Sequence, residues 1–328
     1  VNPSTHGEAL AHYRGVLMKC VFLVNDVADI DPSMTTAMLL ESAQNRGFGV
    51  FVGDVAKLGV GVDDAVRVRA IRHPDQSEHD LVLHAGDLVV IRTNPGRDTR
   101  VGVHQAGLDL MALAQHQGVV VLNEPAGLRR ATSKLYSTRI PPAFRPRALV
   151  SRDPAVLRAF VDRGAAASVL KPLSGTRGTD VFKVHPGDPN LGQIIEVLTR
   201  GGMAIAQEFL PEAADGDVRV MVLDGEPLRV GDAVAVVRRK PTGTDFRSNV
   251  HVGGEPVAAE FTPRLREIVQ AVGPLLMSDG LRLCGLDVIG DKIIEINVFA
   301  PGGLSDANRF YGVDFTGAIM DSFVAKRS

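Results

Sequence analysis

The chain is poor in cysteine, in surplus charge of either sign and in long apolar runs, and each shortage excludes something. Only Cys20 and Cys284 occur among 328 residues. Both lie in apolar, strand-like runs far apart in sequence, where a small buried thiol is the ordinary outcome. There is no CxxC pair and no HExxH, and the nine histidines are scattered, which removes the common zinc patterns. Any metal is therefore expected to be held by oxygen. Lysine and arginine number 36 against 38 aspartates and glutamates, a net charge of −2. This lacks the basic excess of a nucleic-acid-binding protein, so the expected ligand is small and no nucleic-acid partner is expected. No stretch reaches the roughly 18 apolar residues a membrane helix needs, and no signal-peptide core opens the chain. The expectation is a cytoplasmic protein without a membrane partner.

What is present is a 45% hydrophobic chain long enough for two or three packed subdomains. Residues 1–17 precede Met18 and an abrupt apolar strand, and are set apart as an N-terminal tail. From Met18 to about Asn123, apolar runs at 18–24, 48–53 and 87–92 are separated by helix-like stretches and ended by Gly, Asp or Pro. That rhythm predicts α/β structure with a parallel sheet. Helices are predicted from Thr35 to Arg46, stopped by Gly47, and over about 101–117, stopped by Gly118, with a strand at 119–123. After Pro125 a short basic helix holds Lys134. The stretch 168–184 reads strand, glycine-rich turn, strand, and Asp224-Gly225 between 218–223 and 226–230 signals a hairpin. The C-terminal half is thus α+β, richer in antiparallel strands.

The segment LRLCGLDVIGDKIIEINVFAPGG, 281–303, carries the most chemistry. A three-residue loop, Gly290 to Lys292, sets Asp287 opposite Glu295 with Asn297 on the same face, and leaves Leu286, Val288, Ile294, Ile296 and Val298 as a core face. A two-residue loop separates the carboxylates. Two carboxylates and an amide oxygen form the environment Mg²⁺ prefers, although such a face is also an ordinary solvated hairpin surface. Lys171 ends an apolar strand before Ser174-Gly175-Thr176-Arg177-Gly178, whose backbone amides can close over phosphate oxygens. No P-loop pattern is present. Lys134 in TSKLYS is a second candidate phosphate contact. The strand MAIAQEFLP, 203–211, can offer backbone hydrogen bonds to a base edge through its end at Gln207-Glu208-Phe209-Leu210. Asp217 and Arg219 share a strand face, and the polar loop 238–254 holds Arg239, Arg247 and Asn249, so the arginines of 219–247 resemble an anion clamp.

Each segment alone is weak, but their order is specific. NEPAGLRRATSKLY (123–136), LKPLSGTRG (170–178), DPNLG (188–192), AQEFLP (206–211), DGDVRV (215–220), FRSN (246–249) and GLDVIGDKIIEINVFAP (285–301) follow one another as in the ATP-grasp superfamily. Over 18–328 the chain resembles the bacterial glutathione synthetases in particular. The resemblance implies an ATP-grasp fold: an N-terminal parallel-sheet domain on the substrate side (18–125), a small lid (126–202) and an antiparallel C-terminal subdomain (203–328). It implies that Lys134 and Lys171 contact ATP phosphates, that Gly175 to Gly178 cover them, and that Gln207, Glu208, Phe209 and Leu210 form the adenine-side hinge. Asp217 is placed near the ribose or the metal-bound phosphates. Arg219 and Arg247 face the transferring phosphoryl group, Asn249 helps hold the acyl intermediate, and Asp287, Glu295 and Asn297 hold Mg²⁺ or Mn²⁺.

The chain departs from the family pattern in Ser174, Thr176 and Arg177 of the glycine turn, in IRTNPGRD (91–98) and in FAPGG (299–303). The last two fall on the substrate side, where Arg92 and Asn94 are the candidate substrate residues and Arg92 pairs with a donor's free carboxylate. The implied reaction is ATP-dependent amide formation through an acyl phosphate, with γ-glutamylcysteine and glycine as substrates and a homo-oligomer as the working form. An ATP-grasp ligase acting on another peptide, protein or specialised metabolite is the alternative. A non-catalytic ATP-binding module is the alternative of a different class.

Overall fold

Strands buried on both faces make the parallel part of the first sheet. The computed structural model describes residues 12–13, 16–164, 166–173, 179–242 and 254–325. Strand β1 (Lys19–Val24) is buried from Cys20 to Val24, alternating Val21 and Leu23 toward one core and Cys20, Phe22 and Val24 toward another. Such near-continuous apolar runs are what a sheet covered on both sides requires. Parallel to β1 run β2 (Gly49–Val60) on one side and β5 (Leu88–Ile91) on the other, with β6 (Val120–Leu122) beyond β5. Helices α1 (Thr35–Gln44) and α2 (Val101–His116) cover the two faces. Gly47 and Gly118, each at positive φ, follow them as expected of C-terminal stops.

Between the runs at 48–53 and 87–92 the structure departs from the helix-like reading. That stretch instead extends β2 and adds the antiparallel strands β3 (Val66–Arg72) and β4 (Glu78–Val82), giving the order β4-β3-β2-β1-β5-β6. The cause is legible afterwards: Val66, Val68 and Ala70 are buried and alternate with exposed Arg67 and Arg69, a period of two that no helix can satisfy.

The middle of the chain forms a four-stranded antiparallel sheet of β7 (Ala148–Ser151), β8 (Ser168–Pro172), β9 (Phe182–Val184) and β10 (Ala204–Glu208), in the order β9-β8-β10-β7. Helix α3 (Pro125–Ala131) precedes it; α4 (Pro154–Asp162) and α5 (Leu191–Arg200) cover it. Its core, with Leu157, Leu170, Val184 and Leu191 fully buried, is separate from the two larger cores. The third sheet holds β11 (Asp217–Leu223), β12 (Val236–Lys240), β13 (Glu255–Ala258), β14 (Leu283–Ile289) and β15 (Lys292–Asn297), all antiparallel, in the order β13-β12-β11-β14-β15. The hairpin at Asp224-Gly225 is present: Leu223 pairs with Glu226 and both turn residues have positive φ.

The first and third sheets share their cores. Val220, Leu286 and Val288 join Val21, Leu23 and Val89 in one cluster, together with α6 (Pro263–Ser278). Met221 and Leu283 join Phe22 and Leu39 in the other, which α7 (Leu304–Tyr311) and α8 (Phe315–Ala325) complete with Phe315 and Phe323. Each such fully buried side chain contributes roughly 1.5–3 kcal/mol. Buried Asn123 adds a polar tie across the junction: its amide nitrogen donates to the carbonyls of Leu283 and Val298, and its oxygen accepts from the Leu283 amide. Both cysteines are fully buried within these cores, and burial pushes the Cys284 thiol well above its usual range. They are structural, as the sequence predicts.

Candidate active site

The β14–β15 hairpin turns through Gly290 and Asp291, with Ile289 paired to Lys292 and Val288 to Ile293. The loop thus has two residues rather than the three expected. The carboxylates still meet, because a bulge between Asp287 and Val288 shifts the register and sets Asp287 opposite Glu295 and Gly285 opposite Asn297. The same bulge makes Ile293, not Ile294, the core residue, and leaves Ile294 lining a cleft.

Neighbouring strands extend this polar face. Arg219 on β11 lies opposite Asp287 on β14, and Asp217 on β11 opposite Arg239 on β12. Arg239 is therefore a strand residue, not part of a polar loop as the sequence suggested; Val237 and Arg239, two apart in VVRRK, share one strand face. Arg219 forks onto Asp287, with Nη2 donating to Oδ2 at 2.8 Å, and its Nη1 donates to the Gly302 carbonyl at 3.1 Å. Arg239 donates to Asp217 Oδ1 at 3.1 Å and its Nη2 lies 2.9 Å from Asp287 Oδ2. The Asn297 amide donates to the same Oδ2 at 3.1 Å. Burial alone raises the pKa of a carboxyl such as Asp287, but the two guanidiniums outweigh it and hold the group below its ordinary value.

Glu295 is in the opposite condition. Burial first, then the charge of Asp287, pushes its carboxyl above the usual range, against the pull of Lys134, Lys171 and Arg219. Lys171, near the end of β8, is shifted down to about 8, chiefly by burial and further by Lys134, with Glu295 opposing. Burial lowers Lys134 as well, again against Glu295. Two desolvated ammonium groups facing one carboxylate make a site with excess positive charge, suited to a polyphosphate.

These groups line a cleft of about 390 Å³, together with Asn297, Gln207 and the β7 residues Ala148 to Val150. Asn94, Phe299 and Ala300 also line it, so the two segments that depart from the family pattern both reach this cleft. The Arg92 guanidinium donates to Thr36 Oγ1 at 3.1 Å and to the Pro301 carbonyl at 3.0 Å, while its buried Nη1 has no hydrogen-bond partner among the described residues. Burial, then Arg97, lowers Arg92 to about 10. Asn94 exchanges hydrogen bonds with Asn25, 2.7 Å from the Asn94 amide nitrogen to Asn25 Oδ1 and 2.9 Å from Asn25 Nδ2 to the Asn94 carbonyl, which fixes the loop that presents it.

Of the expected hinge, only Gln207 reaches the cleft wall. Glu208 accepts from the Arg147 amide at 2.8 Å, Phe209 lies under the Lys183 ammonium at 3.8 Å, and Leu210 leads into the turn Pro211–Asp215. Asp217 is fully buried beside Arg239. Gly175, Gly178, Arg247 and Asn249 lie outside the described residues. Among the described residues no group of three or more His, Cys, Asp or Glu is placed to hold a metal; the oxygen donors at hand are Asp287, Glu295 and the Asn297 amide. No helix among them is long and apolar enough to cross a membrane.

This three-sheet arrangement is the ATP-grasp fold. The chain is similar to D-cycloserine synthetase DcsG, with a TM-score of 0.68 at 16% identity, covering 94% of this chain and 100% of that one. It is also similar to the ATP-grasp ligase PsnB complexed with minimal precursor, with a TM-score of 0.62 at 20% identity, covering 95% and 100%. At such identity the likeness speaks for the fold alone. In sequence, the prokaryotic glutathione synthetase N-terminal domain matches residues 18–129 and the prokaryotic glutathione synthetase ATP-grasp domain residues 133–312. Glutathione synthetase of Synechococcus elongatus is 36% identical, covering 94% of this chain and 99% of that protein; that of Shewanella oneidensis is 35% identical, covering 94% and 96%. The chain belongs to the prokaryotic glutathione synthetase family, and is an ATP-dependent ligase forming carbon–nitrogen bonds.

Proposed function

We propose that the enzyme joins γ-glutamylcysteine to glycine, with ATP converted to ADP and phosphate. The observation that carries this is the Lys134–Lys171–Glu295 cleft, in a chain that aligns almost end to end with glutathione synthetases. An ionised carboxylate does not react with an amine. The γ-phosphoryl group of ATP passes to a donor carboxylate oxygen, and the amine attacks the acyl phosphate and releases phosphate. Lys134 and Lys171 bind the polyphosphate, Gln207 stands on the adenine side, and Arg219 with Arg239 holds the Asp287 carboxylate in place. Arg247 and Asn249 complete the acyl-transfer side in this reading.

Asp287, Glu295 and Asn297 fit a divalent cation, because all three offer oxygen and burial and Asp287 keep the Glu295 carboxyl raised even beside Lys134, Lys171 and Arg219. Mg²⁺ or Mn²⁺ there supplies charge neutralisation for the phosphoryl group. In this reading Arg92 and Asn94 serve the donor side; the Arg92 Nη1, without a partner among the described residues, supports recognition of a carboxylate. The separate core around Leu170 and Leu191 supports movement of the middle sheet as a lid that keeps water from the acyl phosphate. In this reading the enzyme is cytoplasmic and homo-oligomeric.

The test is to incubate purified protein with ATP, Mg²⁺, γ-glutamylcysteine and glycine, scoring phosphate release and product mass. Glutathione with stoichiometric phosphate is expected. Amide product only from another carboxylate and amine would replace the substrates and keep the ligase; ATP binding with no amine-dependent phosphate release from any pair would overturn catalysis itself.

A further inference from the structure

A buried carboxylate outside the strands of the site stands behind the turn that carries Lys134. Asp279 is the C-cap residue of α6, and its side chain is only 6% exposed. Both of its oxygens are engaged. Oδ1 lies 2.9 Å from Arg130 Nε, while Oδ2 accepts from the Tyr136 hydroxyl at 2.8 Å and from Arg139. The Arg139 guanidinium also lies over the Tyr136 ring, 5.4 Å from its centroid. The two cations sit at the C-terminal end of α6, where its dipole favours positive charge. Backbones meet closely beside them: a Cβ at Gly127 would fall 1.8 Å from the Asp279 carbonyl oxygen, and the Glu124 amide donates to the Gly280 carbonyl at 3.1 Å.

Tyr136 and Arg139 belong to the 3-10 turn Lys134–Arg139, whose first residue is the cleft lysine. At that first residue the turn is attached to the end of β8: the Lys134 amide donates to the Leu173 carbonyl at 3.3 Å and its ammonium to the Pro172 carbonyl at 3.2 Å. At the other end, Asp279 attaches it to α6, which packs in the core shared by the first and third sheets. Lys134 therefore sits where the middle sheet meets the body, and its position relative to Glu295 on β15 depends on both attachments.

We propose that Asp279 is a positioning residue which, through Tyr136 and Arg139, sets Lys134 for the phosphates of ATP. This rests on the reading of Lys134 as a phosphate contact. Arg130 and Arg139 are 48% and 42% exposed, so removing the charge of Asp279 strands no buried cation. Asp279→Asn keeps an acceptor for the Tyr136 hydroxyl, yet no longer draws two guanidiniums onto one group.

The experiment is a double-mutant cycle on the full chain, reading ATP affinity by calorimetry with Mg²⁺ present. Asp279→Asn is expected to weaken ATP binding by about tenfold in the wild-type background and to have little further effect on top of Lys134→Ala. Asp279→Glu is expected to recover part of the affinity. Thermal unfolding of each variant separates this from loss of fold, since a general loss of stability weakens binding alike in both backgrounds. Equal weakening in both backgrounds, or none in either, overturns the positioning role while the phosphate contact stands, provided Lys134→Ala alone weakens ATP. An unchanged affinity in Lys134→Ala overturns the phosphate contact and the positioning role together. Should Asp279→Asn not fold, Tyr136→Phe takes its place in the same cycle, judged by the same non-additivity.

Discussion

Glu295→Gln is expected to lower turnover by about a hundredfold or more, equivalent to roughly 3 kcal/mol of transition-state stabilisation, while leaving the fold intact. The substitution preserves shape and removes a charge from a carboxyl already pushed up by burial and by Asp287. A group in that condition resists ionisation despite the cations around it, and a divalent cation beside it favours the charged carboxylate further. The fold tolerates the change because Glu295 sits on β15, whose register is set by the bulge and by buried Ile293, not by this side chain. Turnover in purified Glu295→Gln, with its Mg²⁺ dependence titrated, is the measurement. Near-normal turnover with unchanged Mg²⁺ dependence removes Glu295 from the metal site.

Lys171→Ala is expected to weaken ATP binding by tens of times, as removal of a desolvated charge-assisted partner does. The pH dependence should go with it. Burial holds the Lys171 ammonium down to about 8 from its ordinary 10.5. The charged form is thus disfavoured in the free enzyme: this depressed lysine detracts from folding stability at neutral pH, and the penalty fades as pH rises from about 8 toward 10.5. Binding has the opposite sign. Phosphate oxygens favour the ammonium, so wild-type affinity should be level below about 8 and fall as pH rises through it, once Lys171 in the free enzyme loses its proton. In Lys171→Ala that fall should vanish. Calorimetry across this pH range decides it: an alanine variant with wild-type affinity, or one that keeps the alkaline fall, rules out Lys171 as the phosphate-bound group.

The strands and helices that could be foreseen were those whose pattern is local. Cys20 to Val24, the helices starting at Thr35 and Val101, and the Asp224-Gly225 turn all follow from periodicity and backbone preference within a few residues. The stretch between Val60 and Val82 was equally local, and its period of two at Val66, Val68 and Ala70 was there to be read. The sequence by itself also determined the chemical inventory, with Lys134, Lys171, Asp287, Glu295 and Asn297 in family order. What it left open was the geometry among them. Which face Glu295 takes depends on a bulge, and the bulge is selected by Ile293 finding the shared core while Ile294 turns to the cleft. The partnership of Arg239 with Asp217 and Asp287, and of Asp279 with Arg130, Tyr136 and Arg139, joins residues 22 to 149 positions apart. No local preference encodes such pairs. They form because the sheets bury a common core, and once those groups leave water each charge must find a counter-charge at whatever position packing brings beside it.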